Sequence, residues 1–157
     1  MLQKHTHFGF RLVKNKWSKQ AFDGEGARRY GGRWNSKGRR CVYLASTPSL
    51  ALLEIMVHLD DYSLLANYLL FQMAIPGSSL LELDSDSLAD DWNADPAPLS
   101  SARIGDEWLL GHSSMALSVP STIVPKENII LVNPAHVQYS ETLASVIEID
   151  FRADSRL

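Results

Sequence analysis

The chain has 157 residues, 45% of them hydrophobic and 21% charged, with a formal net charge of -3. This is the length of one domain able to bury roughly two-thirds of its unfolded surface, and the composition excludes a disordered, collagen-like or disulfide-stapled chain. There is no apolar run near the roughly 20 residues of a bilayer span, no signal-peptide pattern in MLQKHTHFGFRLVKNK, and a single cysteine, Cys41, so we expect a cytoplasmic protein with no membrane association.

The small net charge conceals an asymmetry. Residues 1–40 hold 11 Lys/Arg against two acids, Asp23 and Glu25, and the other 117 residues hold 4 basic and 16 acidic. A basic end fits an anionic ligand or a solvated surface. No helix-turn-helix, zinc-finger or RNA-binding signature accompanies it, which favours a small phosphate-bearing ligand over direct DNA binding.

In chain order, FGFRLVK (8–14) reads as a first strand with Phe8, Phe10 and Leu12 on one face and Arg11 on the other. Residues 21–40 form a long glycine-rich loop without clear periodicity, a length that usually carries function. RCVYLAS (40–46) is a strand with Cys41, Tyr43 and Ala45 on one face and Val42 and Leu44 on the other. Ser46 or Thr47 then caps a helix starting at Pro48 and running to about Leu59 or Asp60. YLLFQMAIP (68–76) is a largely buried strand, and SLLELD (79–84) a short one. From Glu82 to Asp95 there are six acids and no base, so 82–100 reads as a solvated insertion around a short helix, anchored by Trp92. SARIGDEWLLG (101–111) is a helix with Ile104, Trp108 and Leu109 inward and Gly111 as its stop. Strands follow at 114–121, 128–134 and 145–151. Strands outnumber helices without regular alternation, which predicts a single α+β domain over 1–157, its mixed central sheet flanked by helices.

Two features point to chemistry. From Leu50 to Val57 every residue is apolar except Glu54. A charged acid on such a face is costly unless it is paired or faces a polar cleft. It is therefore either a structural partner of an arginine or of His58, or a functional carboxylate. The second is GGRWN (31–35): Gly32 permits close backbone approach, Arg33 offers a planar fork for phosphate, Trp34 a flat face and Asn35 an amide. It is neither G-x-G-x-x-G nor a P-loop. Tyr43 stands between the two. Ser121 and Asn133 sit at strand ends, where they read equally as turn residues. The five histidines show no metal-ligand spacing, and no G-x-S-x-G elbow is present.

The run GGRWNSKGRRCVYLASTPSLALLE resembles the RES domain family, the toxin half of bacterial RES–Xre toxin–antitoxin pairs. FRLVK, IGDEWL (104–109) and VPSTIVPKENIILVNPAH (119–136) extend the resemblance over nearly the whole chain. It implies an ADP-ribosyltransferase-like α+β fold and NAD as a substrate, with no prosthetic group. Arg33, Tyr43 and Glu54 match the family's arginine, tyrosine and glutamate, and Ser121 its serine. Arg11 and Asn133 are further polar positions in matching motifs. The implied activity is NAD depletion with growth arrest, with water or inorganic phosphate as acceptor. Mono-ADP-ribosylation of a protein and a non-catalytic nucleotide- or antitoxin-binding module are the alternatives. The implied partner is an Xre-type helix-turn-helix antitoxin, in a homodimer or a larger toxin–antitoxin assembly.

Overall fold

Three segments rich in alternating apolar residues build the centre of a seven-stranded mixed sheet, seen in a computed structural model that describes residues 5–157. β1 (Thr6–Lys14) pairs antiparallel with β3 (Tyr68–Pro76) over nine register positions, from Thr6 opposite Pro76 to Lys14 opposite Tyr68. β2 (Val42–Ala45) pairs antiparallel with β6 (Asn128–Val132), and β6 with β5 (Ala116–Pro120). At the edges, β4 (Leu80–Glu82) runs parallel to β5, and β7 (Ile147–Ile149) antiparallel to β3. The strand order is β4-β5-β6-β2-β1-β3-β7.

The period-2 pattern of β2 divides its side chains as the sequence predicts. Cys41, Ala45 and the partly buried Tyr43 join the core on one sheet face, and Val42 and Leu44 join the core on the other. The first core is closed by α2 (Pro48–Met56), through Leu50 and Ala51, and by α3 (Leu99–Gly111), through Trp108 and Leu109. The second is closed by Tyr139 of the short α4 (Tyr139–Leu143). On β1, Leu12 is buried while Phe8 remains 44% exposed, because the strand's start extends beyond the core.

Thr47 is the N-cap of α2: its hydroxyl accepts the Leu50 N–H at 3.1 Å and donates to Glu127 Oε1 at 2.5 Å, tying the helix start to the turn before β6. Replacing Thr47 with Ala removes both bonds and is expected to cost about 1 kcal/mol. A denaturant midpoint with unchanged slope checks this. α2 ends at Met56, short of the expected Leu59 or Asp60, because His58 and Leu59 bond to carbonyls three residues back and tighten the last turn.

Elsewhere the structure departs from the sequence reading in three places. The glycine-rich loop contains a helix, α1 (Glu25–Tyr30), held by Glu25, which salt-bridges Arg28, Arg29 and Arg40. The hydrogen bond from Arg28 leads in pulling the Glu25 carboxyl down to about 2. The acidic insertion expected over 82–100 starts on the last residue of β4 and runs into the first two of α3, and between them it has one 3-10 turn, Ser85–Ser87, in place of the short helix. α3 is stopped by His112, in the left-handed region at φ 51°, with Gly111 as its last helical residue. Among the described residues no helix is long and apolar enough to cross a membrane.

Candidate active site

The sheet is split. β1 and β2 are neighbours, but their ladder has a single register pair, Phe10 opposite Ala45, whereas β1 meets β3 over nine. Beyond that pair the Tyr43 carbonyl finds its donor in a side chain: Arg11 Nη1, at 2.9 Å. Arg11 therefore spans the opening. Its Nε is buried without a hydrogen-bond partner, and no carboxylate lies within salt-bridge distance of it among the described residues. Burial pulls its pKa below the ordinary arginine value. The charge of Asp23, in the same cavity walls, opposes that shift, and the guanidinium is a cation with hydrogen-bonding capacity left over in the cleft.

Three adjoining cavities share Arg11 as a wall. The first is lined by Arg33, Trp34, Tyr43 and Glu54, with Ile55, Thr122 and Ile129 among the others. The second lies against Gly24, Gly26, Gly31 and Gly32, with Tyr43 again in its wall. The third opens towards Trp17 and Tyr30, which are 54% and 76% exposed. The split sheet thus gives an extended cleft with Arg11 throughout, Arg33 and Glu54 in its first part, Asp23 and Glu25 in its second and third, and flat aromatic rings at its rim.

α2 delivers Glu54 to this cleft. The helix buries Leu50 and Ala51, and Glu54, one turn on, is half-buried at the cavity wall. It has no salt bridge or hydrogen bond among the described residues, so the structural pairing with an arginine or His58 is not formed. Desolvation raises its pKa above the usual carboxylate value, and the charges of His58 and Arg33 oppose that shift. It is the one acid in the lining of the first cavity.

The GGRWN loop is built by internal bonds. The Tyr43 hydroxyl donates to Asn35 Oδ1 at 2.6 Å and accepts the Trp34 N–H at 3.0 Å. Asn35 Nδ2 donates to the carbonyls of Ala27, Ser36 and Arg39, and the residue is 1% exposed. Its amide is fully engaged within the loop. A Cβ on Gly32 would lie 2.6 Å from the Tyr43 hydroxyl, so the loop closes around that oxygen only with glycine there. Burial pushes the Tyr43 phenol upward, keeping it neutral. Trp34 is 2% exposed, with its ring 6.2 Å from that of Trp92, so it floors the cavity rather than offering an open stacking face. Arg33 lines the cavity, but its Nη1 is already committed to the carbonyls of Trp92 and Ala94, leaving Nε and Nη2 for a ligand.

Of the residues singled out in the sequence, the structure thus brings Arg11, Arg33, Trp34, Tyr43 and Glu54 to one cavity, with Gly32 and Asn35 in the loop behind. Ser121 and Asn133 are not in its lining. The Ser121 hydroxyl, 0% exposed, accepts the N–H groups of Ile123 and Val124 and folds the turn that presents Thr122. Asn133, 2% exposed, joins the α3 end to the β6 exit through bonds to Leu109 and Ala135. Sequence reasoning missed the ties of Arg33 to Trp92 and Ala94, since nothing local marks a contact 59 residues away. It also missed Asp106, whose carboxylate takes the Ser36 N–H at 2.9 Å and hydroxyl at 2.5 Å.

A mixed sheet opened between two central strands and covered by helices, with two arginines and one carboxylate lining the first cavity of the opening, defines the class: a single α+β domain with a cleft in its sheet. The chain belongs to the RES domain family, whose model matches residues 9–154. It is 44% identical over 148 residues to "Toxin Res" of Yersinia enterocolitica, covering 94% of this chain and 97% of that one. It is 40% identical over 116 residues to "Prs ADP-ribosylating toxin" of a Sphingobium species, covering 72% of each. The fold is similar to one in the crystal structure of the Mycobacterium tuberculosis MbcT–MbcA toxin–antitoxin complex. That match has a TM-score of 0.69 at 18% identity and covers 94% of this chain and 83% of that one.

Proposed function

We propose that this chain is the toxin of a toxin–antitoxin pair and that it breaks the nicotinamide–ribose bond of NAD. The observation that carries the reading is the cleft's charge layout: one unpaired, half-buried carboxylate, Glu54, beside two arginines with donors to spare, in a split of the sheet that continues to exposed aromatics. NAD has the complementary layout. Its pyrophosphate suits Arg11 and the free nitrogens of Arg33. Its adenine suits the rim near Trp17 and Tyr30, and its nicotinamide the half-buried Tyr43 ring.

In the bond-breaking step the ribose–nitrogen pair leaves with nicotinamide, which becomes neutral, and positive charge develops on the ribose carbon and ring oxygen. An ionised Glu54 stabilises that charge and holds the ribose hydroxyls. Desolvation raises the Glu54 pKa and so costs this ionised form, and the charges of His58 and Arg33 offset part of that cost. An acceptor oxygen then bonds to the ribose carbon and gives up its proton. Water yields ADP-ribose, and inorganic phosphate yields its 1-phosphate. NAD enters as substrate, and the chemistry needs no prosthetic group. Such an activity requires a silencing partner, for which we propose an Xre-type helix-turn-helix antitoxin covering the cleft in a homodimeric or larger assembly.

The Sphingobium relative's name favours a second reading, transfer of ADP-ribose to a protein side chain. Expressing the chain in bacteria lacking the antitoxin separates the two. The first reading expects cellular NAD to collapse before growth stops, with free ADP-ribose or its phosphate accumulating. Growth arrest at constant NAD, with ADP-ribose bound to protein, would establish the second instead.

A further inference from the structure

The stretch from Trp92 to Asp106 follows the loop 33–39 contact by contact. Arg33 Nη1 donates to the carbonyls of Trp92 at 2.9 Å and Ala94 at 2.8 Å. The Trp92 ring lies against Trp34, centroids 6.2 Å apart and planes inclined by 32°. Ser101 donates its hydroxyl to the Arg33 carbonyl at 2.7 Å. Gly105 and Asp106 then meet Trp34 and Ser36. The loop itself has only an isolated bridge, Gly32 to Asn35, for a ladder. One continuous segment therefore grips Arg33 at both its main-chain carbonyl and its guanidinium.

We infer that Trp92 is a positioning residue for the proposed reaction: its packing on Trp34 fixes the two carbonyls that aim Arg33 into the cleft. The inference rests on the cleft being the NAD site. With Nη1 pinned by two acceptors, the arginine has lost most of its rotamer freedom before substrate arrives, and its other N–H groups have no acceptor among the described residues. The exposed acidic insertion that carries Trp92 lines none of the three cavities but stands behind Arg33 and Trp34, which do, and its conformation thereby sets substrate affinity. An arginine that holds phosphates, away from the bond being broken, contributes binding shared by ground and transition states, so its loss appears in KM rather than kcat.

The test is steady-state nicotinamide release by the full chain as wild type, Trp92→Leu and Trp92→Phe, with a thermal melt of each. Leu keeps an apolar group but not the flat face, and Phe keeps a ring. Trp92→Leu is expected to raise KM for NAD about tenfold with kcat within about threefold, and Trp92→Phe to return KM to within about twofold of wild type. Should Trp92→Leu lose its cooperative melt, Trp92→Met, a flexible apolar side chain without a ring, is read in its place with the same tenfold rise in KM expected. An unchanged KM in Trp92→Leu, or a kcat loss at constant KM, overturns the positioning role while leaving the reaction standing. No release by the wild type overturns the reaction and this role together.

Discussion

Glu54→Gln is expected to lower kcat for nicotinamide release about 10²–10³-fold, the scale set by removing a preorganised electrostatic partner from a transition state. The amide keeps the side chain's shape and one hydrogen-bonding oxygen, but loses the negative charge opposite the ribose cation. The same substitution is expected to stabilise the fold at neutral pH. Glu54 has a raised native pKa, caused first by desolvation. Between the unfolded glutamate value of about 4.3 and that raised value, the native chain retains a proton that the unfolded chain has released. Stability therefore falls as pH rises through this window, and Gln, which does not titrate, escapes the fall. Melts at acid and neutral pH check the sign: the wild type and Glu54→Gln coincide below the window, and the variant is the more stable above it. The acid limb of wild-type kcat/KM follows the same group and lies above the ordinary carboxylate range. A residue that costs stability where it is ionised and active is an expected feature of an active site.

The second large effect comes from a helix glycine. Ala is normally favoured over Gly inside a helix by about 1 kcal/mol. At position 105, within α3, an added Cβ would lie 1.6 Å from the Trp34 carbonyl oxygen and 2.7 Å from its carbon. Those are backbone atoms, and Ser101 and Asp106 hold the same loop from either side, so neither partner can give way cheaply. Gly105→Ala is expected to destabilise by about 3 kcal/mol despite its better helix propensity, read as a shift in denaturant midpoint. Because the displaced loop carries Arg33 and the Tyr43 hydroxyl's partners, activity should fall with it.

How much of this was legible before folding depends on the range of each interaction. The nine residues of β3 were visible as a bounded apolar run, because a strand paired on both edges has few polar positions. The division of β2 between two faces and the Thr47 cap follow from period and capping rules that operate within a few residues. α1 was not visible: Gly24, Gly26 and Gly31 break any helical period, and the helix is held by Glu25 with arginines up to 15 positions away. The isolation of Glu54 in an oily helix was readable, and the family resemblance supplied its partners. The split between β1 and β2 was not, since a missing ladder leaves no mark on either strand's pattern. Ser121 and Asn133 show the converse. A polar side chain at a strand end has the same appearance whether it meets a ligand or caps a turn, and here both are spent on neighbouring backbone.

Cleavage of NAD by the cleft alone is the most direct test of the proposed activity. Purified chain and its Glu54→Gln variant are mixed in excess over NAD, with no other protein, and free nicotinamide is followed against time. The wild type is expected to release one nicotinamide per NAD, and the folded variant to release it 10²-fold more slowly or worse. Equal rates from the two proteins, or no release until a second protein is added as acceptor, would contradict it.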